Sequence, residues 1–392
     1  MWSGLDEEHG VGVGEGVVMK SEFYIYVGTY TEDILFGTGE ILEGKGEGIY
    51  VFRMDPTSGE IESHHTMEGI RNPSYLTLSP SNEFLYAVNE LKKFRGERTG
   101  TVSAYNVDPA EKEFNFLNKK PTRETDPCHV SIDKTGKYVL VANYGTGSIS
   151  VFPTKEDGSL GKISEFIQHE GSSINQERQE GPHAHSIFLD KENRYAYVPD
   201  LGLDELRVYK FKSEKGEFET CEDKNFEVEP GAGPRQIAFH PPESYVYLIN
   251  ELNSTLMAFS RDEKEGDLKQ IQTVSTLPSD FTGESSTAEV IVTPSGKYVY
   301  GSNRGHESIV IYEIDQNTGK LKYVDHESTR GRTPRHFAID PTGRFLLAAN
   351  QDSDNIVTFE IDRETGKLSH TGKVIDVPTP VCVRIVEGPK KT

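Results

Sequence analysis

"TPRHFAIDPTGRFLLAANQ", residues 333–351, reads as a short strand, a tight turn and a second strand that ends in Asn. The unit returns as "NPSYLTLSPSNEFLYAVNE" (72–90), "DPCHVSIDKTGKYVLVANY" (126–144), "GPHAHSIFLDKENRYAYVPD" (181–200), "GPRQIAFHPPESYVYLINE" (233–251) and "STAEVIVTPSGKYVYGSNR" (286–304). A seventh start, "TPVCVRIVE", stands at 379–387. The entrance residues Pro73, Pro127, Pro182, Pro234, Thr287, Pro334 and Pro380 are 46–55 residues apart. Each full unit goes on to a third strand such as "SIVIYEID" and, after a "TGKL" turn, a fourth. Four short antiparallel strands per repeat of this length predict one propeller blade.

The seventh unit supplies only its first strand. "FYIYVGTY" (23–30), "GIYVFRMD" (48–55) and "EIESHHTME" (60–68) are the missing second, third and fourth. The fold expected is therefore all-β: a seven-bladed β-propeller of four-stranded antiparallel blades, closed by pairing the N- and C-terminal segments in one blade. Residues 21–392 form a single propeller domain, and residues 1–20 read as a flexible, Gly-rich leader.

Composition narrows the function. A formal charge of −21 repels polyanions, which argues against nucleic acid and anionic membranes as partners. No basic segment precedes an apolar one at the start, and no run reaches transmembrane length. Three cysteines in no paired or metal-type spacing suit a reducing compartment, so the expected location is cytoplasmic, and a monomer is favoured. There is no GxSxG elbow and no HExxH, and the "TGK" stretches recur at hairpin turns without the glycine spacing of a phosphate loop.

Strand-one entrances and strand-two ends fall on the same face of a propeller, as do the long insertions 31–48, 91–100, 169–181 and 277–286. Immediately after the entrance stand Ser74, Cys128, His183, Arg235, Ala288, Arg335 and Val381; His129, Glu289 and His336 are among the next. The third position is Leu76, Val130, His185, Ile237, Val290, Phe337 and Val383, so His185 alone replaces an apolar residue. Such an exception within a repeat asks for a reason other than folding. The Asn that ends strand two is a turn-forming residue; the residues beside it, Glu251, Arg304, Asp200 and Glu90, vary and are better candidates.

On a regular strand His183 and His185 point to the same side. They could hold a substrate or act as base and orienter, and two residues do not make a metal site. With Arg235, Arg304, Glu251, Glu289, Arg335, His336 and His129 they predict a pocket for a small anionic substrate whose reaction needs proton transfer and oxyanion stabilisation. Lys92, Lys93, Arg95 and Arg98 lie on a loop of the same face.

At these residues the chain resembles the seven-bladed propeller lactonase family, which includes bacterial 6-phosphogluconolactonases and carboxy-cis,cis-muconate cyclases. "YVGTYT" (26–31), "GPHAHSIFLDKENRYAYVPDLGLDELRVYKF" (181–211), "GPRQIAFHP" (233–241), "SNRG" (302–305) and "TPRHFAIDPTGRFLLAAN" (333–350) carry the resemblance, which covers about residues 22–388. It implies a site at the channel mouth built from His185, with His183 beside it, Arg235, Glu251 and Arg304. It also implies hydrolysis of a sugar lactone without a cofactor, foremost 6-phospho-D-glucono-1,5-lactone of the pentose phosphate pathway. A muconate cycloisomerase and a non-enzymatic binding scaffold are the alternatives.

Overall fold

The computed structural model describes residues 22–36 and 39–388; the leader expected over residues 1–20 lies outside them. Seven antiparallel blades of four strands follow one another around a ring, one of them with a fifth short strand, Phe226–Glu227, and six pair their strands in chain order. In the closing blade Pro380–Glu387 pairs with Phe23–Thr29, from Phe23 opposite Glu387 to Thr29 opposite Pro380. The ring is thus a seven-bladed β-propeller. Among the described residues the only helices are two 3-10 turns, and none is long and apolar enough to cross a membrane.

The sequence explains each blade. Second strands such as Phe345–Asn350 are buried along their whole length because neighbouring blades cover both faces. Fourth strands such as Leu368–Asp376 lie outermost, and beyond Leu368 the residues of this one are half-buried or exposed. In the "DPTG" turn Asp340 Oδ1 accepts the backbone N–H of Arg344 at 2.7 Å and of Phe345 at 2.6 Å. Gly343 completes that turn at φ 68°, a conformation that side chains with a Cβ disfavour.

Glycines in the turns before the fourth strands are staples between blades, two of them, Gly319 and Gly366, in "TGK" stretches. Tyr86, Tyr197, Tyr247 and Tyr300 each donate their hydroxyl to the carbonyl of a turn glycine one blade on, Gly158, Gly266, Gly319 and Gly366, at 2.7–3.1 Å. The repeated Asn also ties the ring together. Asn303 Nδ2 donates to Thr276 O at 2.8 Å and Asn350 Nδ2 to Thr329 O at 3.0 Å, which joins strand two to the preceding connection.

Two features of the strand-one entrance position the site. Pairing skips a residue just inside it in four blades, between Pro127 and His129, Pro234 and Gln236, Thr287 and Val290, and Pro334 and His336. Such bulges re-aim the extra side chain, here Cys128, Arg235 and Arg335, toward the channel mouth. The blade that carries "HAHS" departs further. A first strand of about six residues is expected there, but only Phe188–Leu189 is regular, preceded by a lone bridge between Ala184 and Asp200.

Candidate active site

The entrances and the strand-two ends surround a basin of about 730 Å³. Glu90, Cys128, His185 and Arg335 form its floor, for they also line a pocket of about 10 Å³ farther down the channel, with His129, His336, Glu289, Gln236 and Tyr75.

Glu251 organises the wall of the basin. Its Oε1 lies 2.6 Å from Arg178 NH2, and its Oε2 lies 2.9 Å from Arg235 Nε and 3.0 Å from Arg304 NH2. Burial acts to raise its carboxyl, but Arg304, Arg178 and Arg235 together hold it well below the usual carboxylate range. Three guanidinium groups on one carboxylate make this cluster locally positive within a strongly acidic protein, although Glu40, Glu90, Asp126, Glu180 and Asp352 also line the basin. Burial and the company of Arg235, Arg335 and Arg178 push Arg304 down to about 10, against the pull of Glu251.

His185 Nε2 stands 3.9 Å from Glu251 Oε2. Burial, reinforced by Arg235, drives its imidazole well below the ordinary histidine value, so at neutral pH the ring is uncharged and one nitrogen accepts a proton. Its backbone N–H donates to Pro199 O at 2.9 Å, which fixes the irregular segment. Cys128 donates to His185 O at 3.2 Å. His183 stacks on Tyr144, ring centroids 4.5 Å apart, and His185 meets the same ring edge-on at 5.5 Å. Both imidazoles therefore border the basin through Tyr144 rather than through a shared strand face.

A sequence profile described as "Lactonase, 7-bladed beta-propeller" matches residues 24–385. The chain belongs to this lactonase family. A lactone is a cyclic ester, and the family places the protein among carboxylic ester hydrolases. A protein of Bacillus subtilis (strain 168) named 6-phosphogluconolactonase is 38% identical over 361 residues, spanning 92% of this chain and 97% of that one. One of the same name from Formosa agariphila is 36% identical over 319 residues, 81% of this chain and 86% of that one. The solved structure of the Pseudomonas aeruginosa periplasmic gluconolactonase PpgL superposes with a TM-score of 0.86 at 31% identity, over 94% of this chain and 100% of that one.

In this lactonase, His185, Arg235, Glu251 and Arg304 come together, with His183 at the rim. Arg335 faces the same basin from another blade. Glu289, His336 and His129 sit below the floor. His336 Nε2 lies 3.4 Å from Glu289 Oε2 and 3.3 Å from Arg384, so this group faces the lower pocket and not the basin. Asp200 corrects the expectation that placed it with the substrate. Its Oδ2 pairs with His169 Nδ1 at 2.6 Å and its Oδ1 accepts the N–H of His183 at 2.7 Å; the side chain is fully enclosed and holds the irregular segment. Of the four loop cations Lys92 alone lines the basin; Lys93, Arg95 and Arg98 are exposed. Among the described residues no group of three or more His, Cys, Asp or Glu is arranged to hold a metal.

Sequence reasoning missed Arg178 and Tyr144. Arg178 is the only cation in the insertion 169–181 apart from its histidine, and Tyr144 occupies the variable position beside the strand-two Asn. Both signals were present, but nothing local joins either residue to Glu251.

Proposed function

We propose that the protein hydrolyses a sugar lactone, 6-phospho-D-glucono-1,5-lactone, to 6-phosphogluconate. The observation that carries this is a neutral His185 set 3.9 Å from a carboxylate that three arginines keep ionised. His185 takes a proton from water as the water oxygen attacks the ester carbonyl. Glu251 is too acidic a carboxyl to serve as that base and instead stabilises the imidazolium that forms. Arg304, whose NH2 is shared between Glu251 and the Thr287 carbonyl while its Nε bonds no described residue, stabilises the oxyanion. Arg235 is committed to Glu251 and to the Ala288 carbonyl and holds the carboxylate in place. The ring C–O bond then breaks and the proton on His185 passes to the departing ring oxygen. The product acid ionises, so each turnover releases one proton.

The names of the relatives support the substrate class, and the cationic wall supports an anionic lactone. Three unpaired cysteines, Cys128, Cys221 and Cys382, favour the cytoplasm as the setting. The test is proton release at constant pH from freshly made phosphorylated lactone, with unphosphorylated gluconolactone alongside. Strong acceleration of the phosphorylated lactone is expected. If folded protein accelerates neither, the hydrolytic reading falls and a carboxylated muconate becomes the substrate to assay.

A further inference from the structure

Two cations on the basin form no ion pair with a carboxylate among the described residues, although Glu90 lies within electrostatic reach of Arg335 and Asp126 of Lys92. Arg178, Arg235 and Arg304 each pair with Glu251, but the Arg335 guanidinium makes no hydrogen bond or ion pair with a described residue. It lies 5.5 Å from the ring centre of Tyr30 and 5.4 Å from that of Phe36, and these two rings pack edge to face. Rings that hold a guanidinium leave its in-plane N–H groups free for a bidentate oxyanion. Glu90 is the carboxyl nearest in influence to Arg335. Burial raises it; it accepts the Tyr30 hydroxyl at 3.1 Å and forms no ion pair with the guanidinium. The second cation is Lys92, whose Nζ donates to Leu35 O at 3.3 Å.

These residues come from other blades than the reacting cluster, and Arg335 meets His185 on the basin floor. His185, Glu251 and Arg304 come from three consecutive blades, those of Tyr195–Asp200, Tyr245–Asn250 and Tyr298–Arg304. Arg335, then Tyr30 and Phe36, then Glu90 and Lys92 belong to the next three around the ring. Phe36 and Leu35 sit on the insertion after Tyr30, which forms a small hairpin pairing Ile34–Leu35 with Ile41–Leu42. The hairpin is rooted in the ring through Ile34, buried with Tyr30 and Val381.

We propose that Arg335 and Lys92 form a subsite for a phosphoryl group at the end of the substrate remote from the ester, with Phe36 as the residue that positions Arg335. The inference rests on the lactonase reading of the basin. It makes the hairpin a determinant of preference for the phosphorylated over the unphosphorylated lactone.

The test compares kcat and KM for both lactones in the wild type, Arg335→Gln, Arg335→Lys and Phe36→Leu, each checked for an unchanged thermal transition. Arg335→Gln is expected to lower the preference for the phosphorylated lactone by about 10- to 100-fold, the usual worth of a hydrogen bond to a charged group. Arg335→Lys recovers part of it. Phe36→Leu lowers the same preference through KM rather than kcat. Equal losses on both lactones, or no loss on either, overturn the subsite. Calorimetric titration of 6-phosphogluconate into the wild type and Arg335→Gln separates the two readings. Binding that depends on Arg335 in a protein that hydrolyses neither lactone keeps the subsite and removes the proposed reaction. Hydrolysis with an unchanged preference in Arg335→Gln does the reverse.

Discussion

Glu90 and Glu251 occupy the same position of the repeat, directly after the Asn that ends strand two, three blades apart, and their surroundings drive the two carboxyls in opposite directions. The entrance position that supplies Arg235 beside Glu251 supplies Ser74 in the blade of Glu90, and no insertion brings a counterpart of Arg178 or Arg304. One glutamate becomes the anion on which the reacting wall is built. The other is raised by burial and makes no ion pair with the arginine beside it. Carboxyls pushed apart in this way mark a division of labour within a site.

That contrast fixes the cost of neutralising each. Glu251→Gln removes the one charge that balances three buried guanidinium groups and is expected to lose about 3–5 kcal/mol of stability together with the activity. Glu90→Gln removes a carboxyl that forms no ion pair with a described residue and keeps an acceptor for the Tyr30 hydroxyl, so it should cost less, about 1 kcal/mol or below. Urea unfolding of the two variants measures both; equal losses would mean that the arginines are not held by Glu251.

His185 sets the acid side of the rate profile. Protonation removes the base, and burial holds the imidazole well below 6.5, so kcat/KM should stay flat on descending from neutral pH and fall only below that value. His185→Ala should fold normally and lose about 100- to 10,000-fold in kcat/KM. A midpoint above 6.5, or full turnover in the variant, removes His185 from that role.

Glu289, under the floor, gives a linkage of known sign. Burial raises its folded pKa, so the stability it contributes is complete below its unfolded value of about 4.3 and is lost as pH rises toward the folded one. Glu289→Gln lacks that loss. The difference in melting temperature between variant and wild type should move in favour of the variant as pH rises above about 4.3. A difference that is constant with pH would place Glu289 in contact with water.

Ring closure depends on the last strand. Ending the chain after Thr379 strips Pro380–Glu387 from Phe23–Thr29, a strand buried at every residue, and takes Val381, Cys382 and Val383 out of the core. At about 1.5–3 kcal/mol for each large buried aliphatic side chain, with an open sheet edge besides, the loss is comparable to the whole stability of about 5–15 kcal/mol typical of a domain. The shortened chain is expected to show no cooperative thermal transition by circular dichroism; a sharp one near that of the full chain would show that the ring holds without its closure.

The sequence by itself determined the ring, because the turn chemistry, the apolar second strands and the entrance residues are local and repeat seven times. "TPVCVRIVE" had to pair with "FYIYVGTY", since neither is a complete blade. The repeat also singled out His185, through a comparison that needs no third dimension. Tertiary structure alone decided which charges meet. Arg178 reaches Glu251 across 73 residues of sequence, Asp200 turns away to His169, and the shortened strand before Phe188 hangs both histidines beside Tyr144. Burial and the distances between charges on different blades set which carboxyl stays ionised and which arginine stays free, and no pattern within one repeat encodes them.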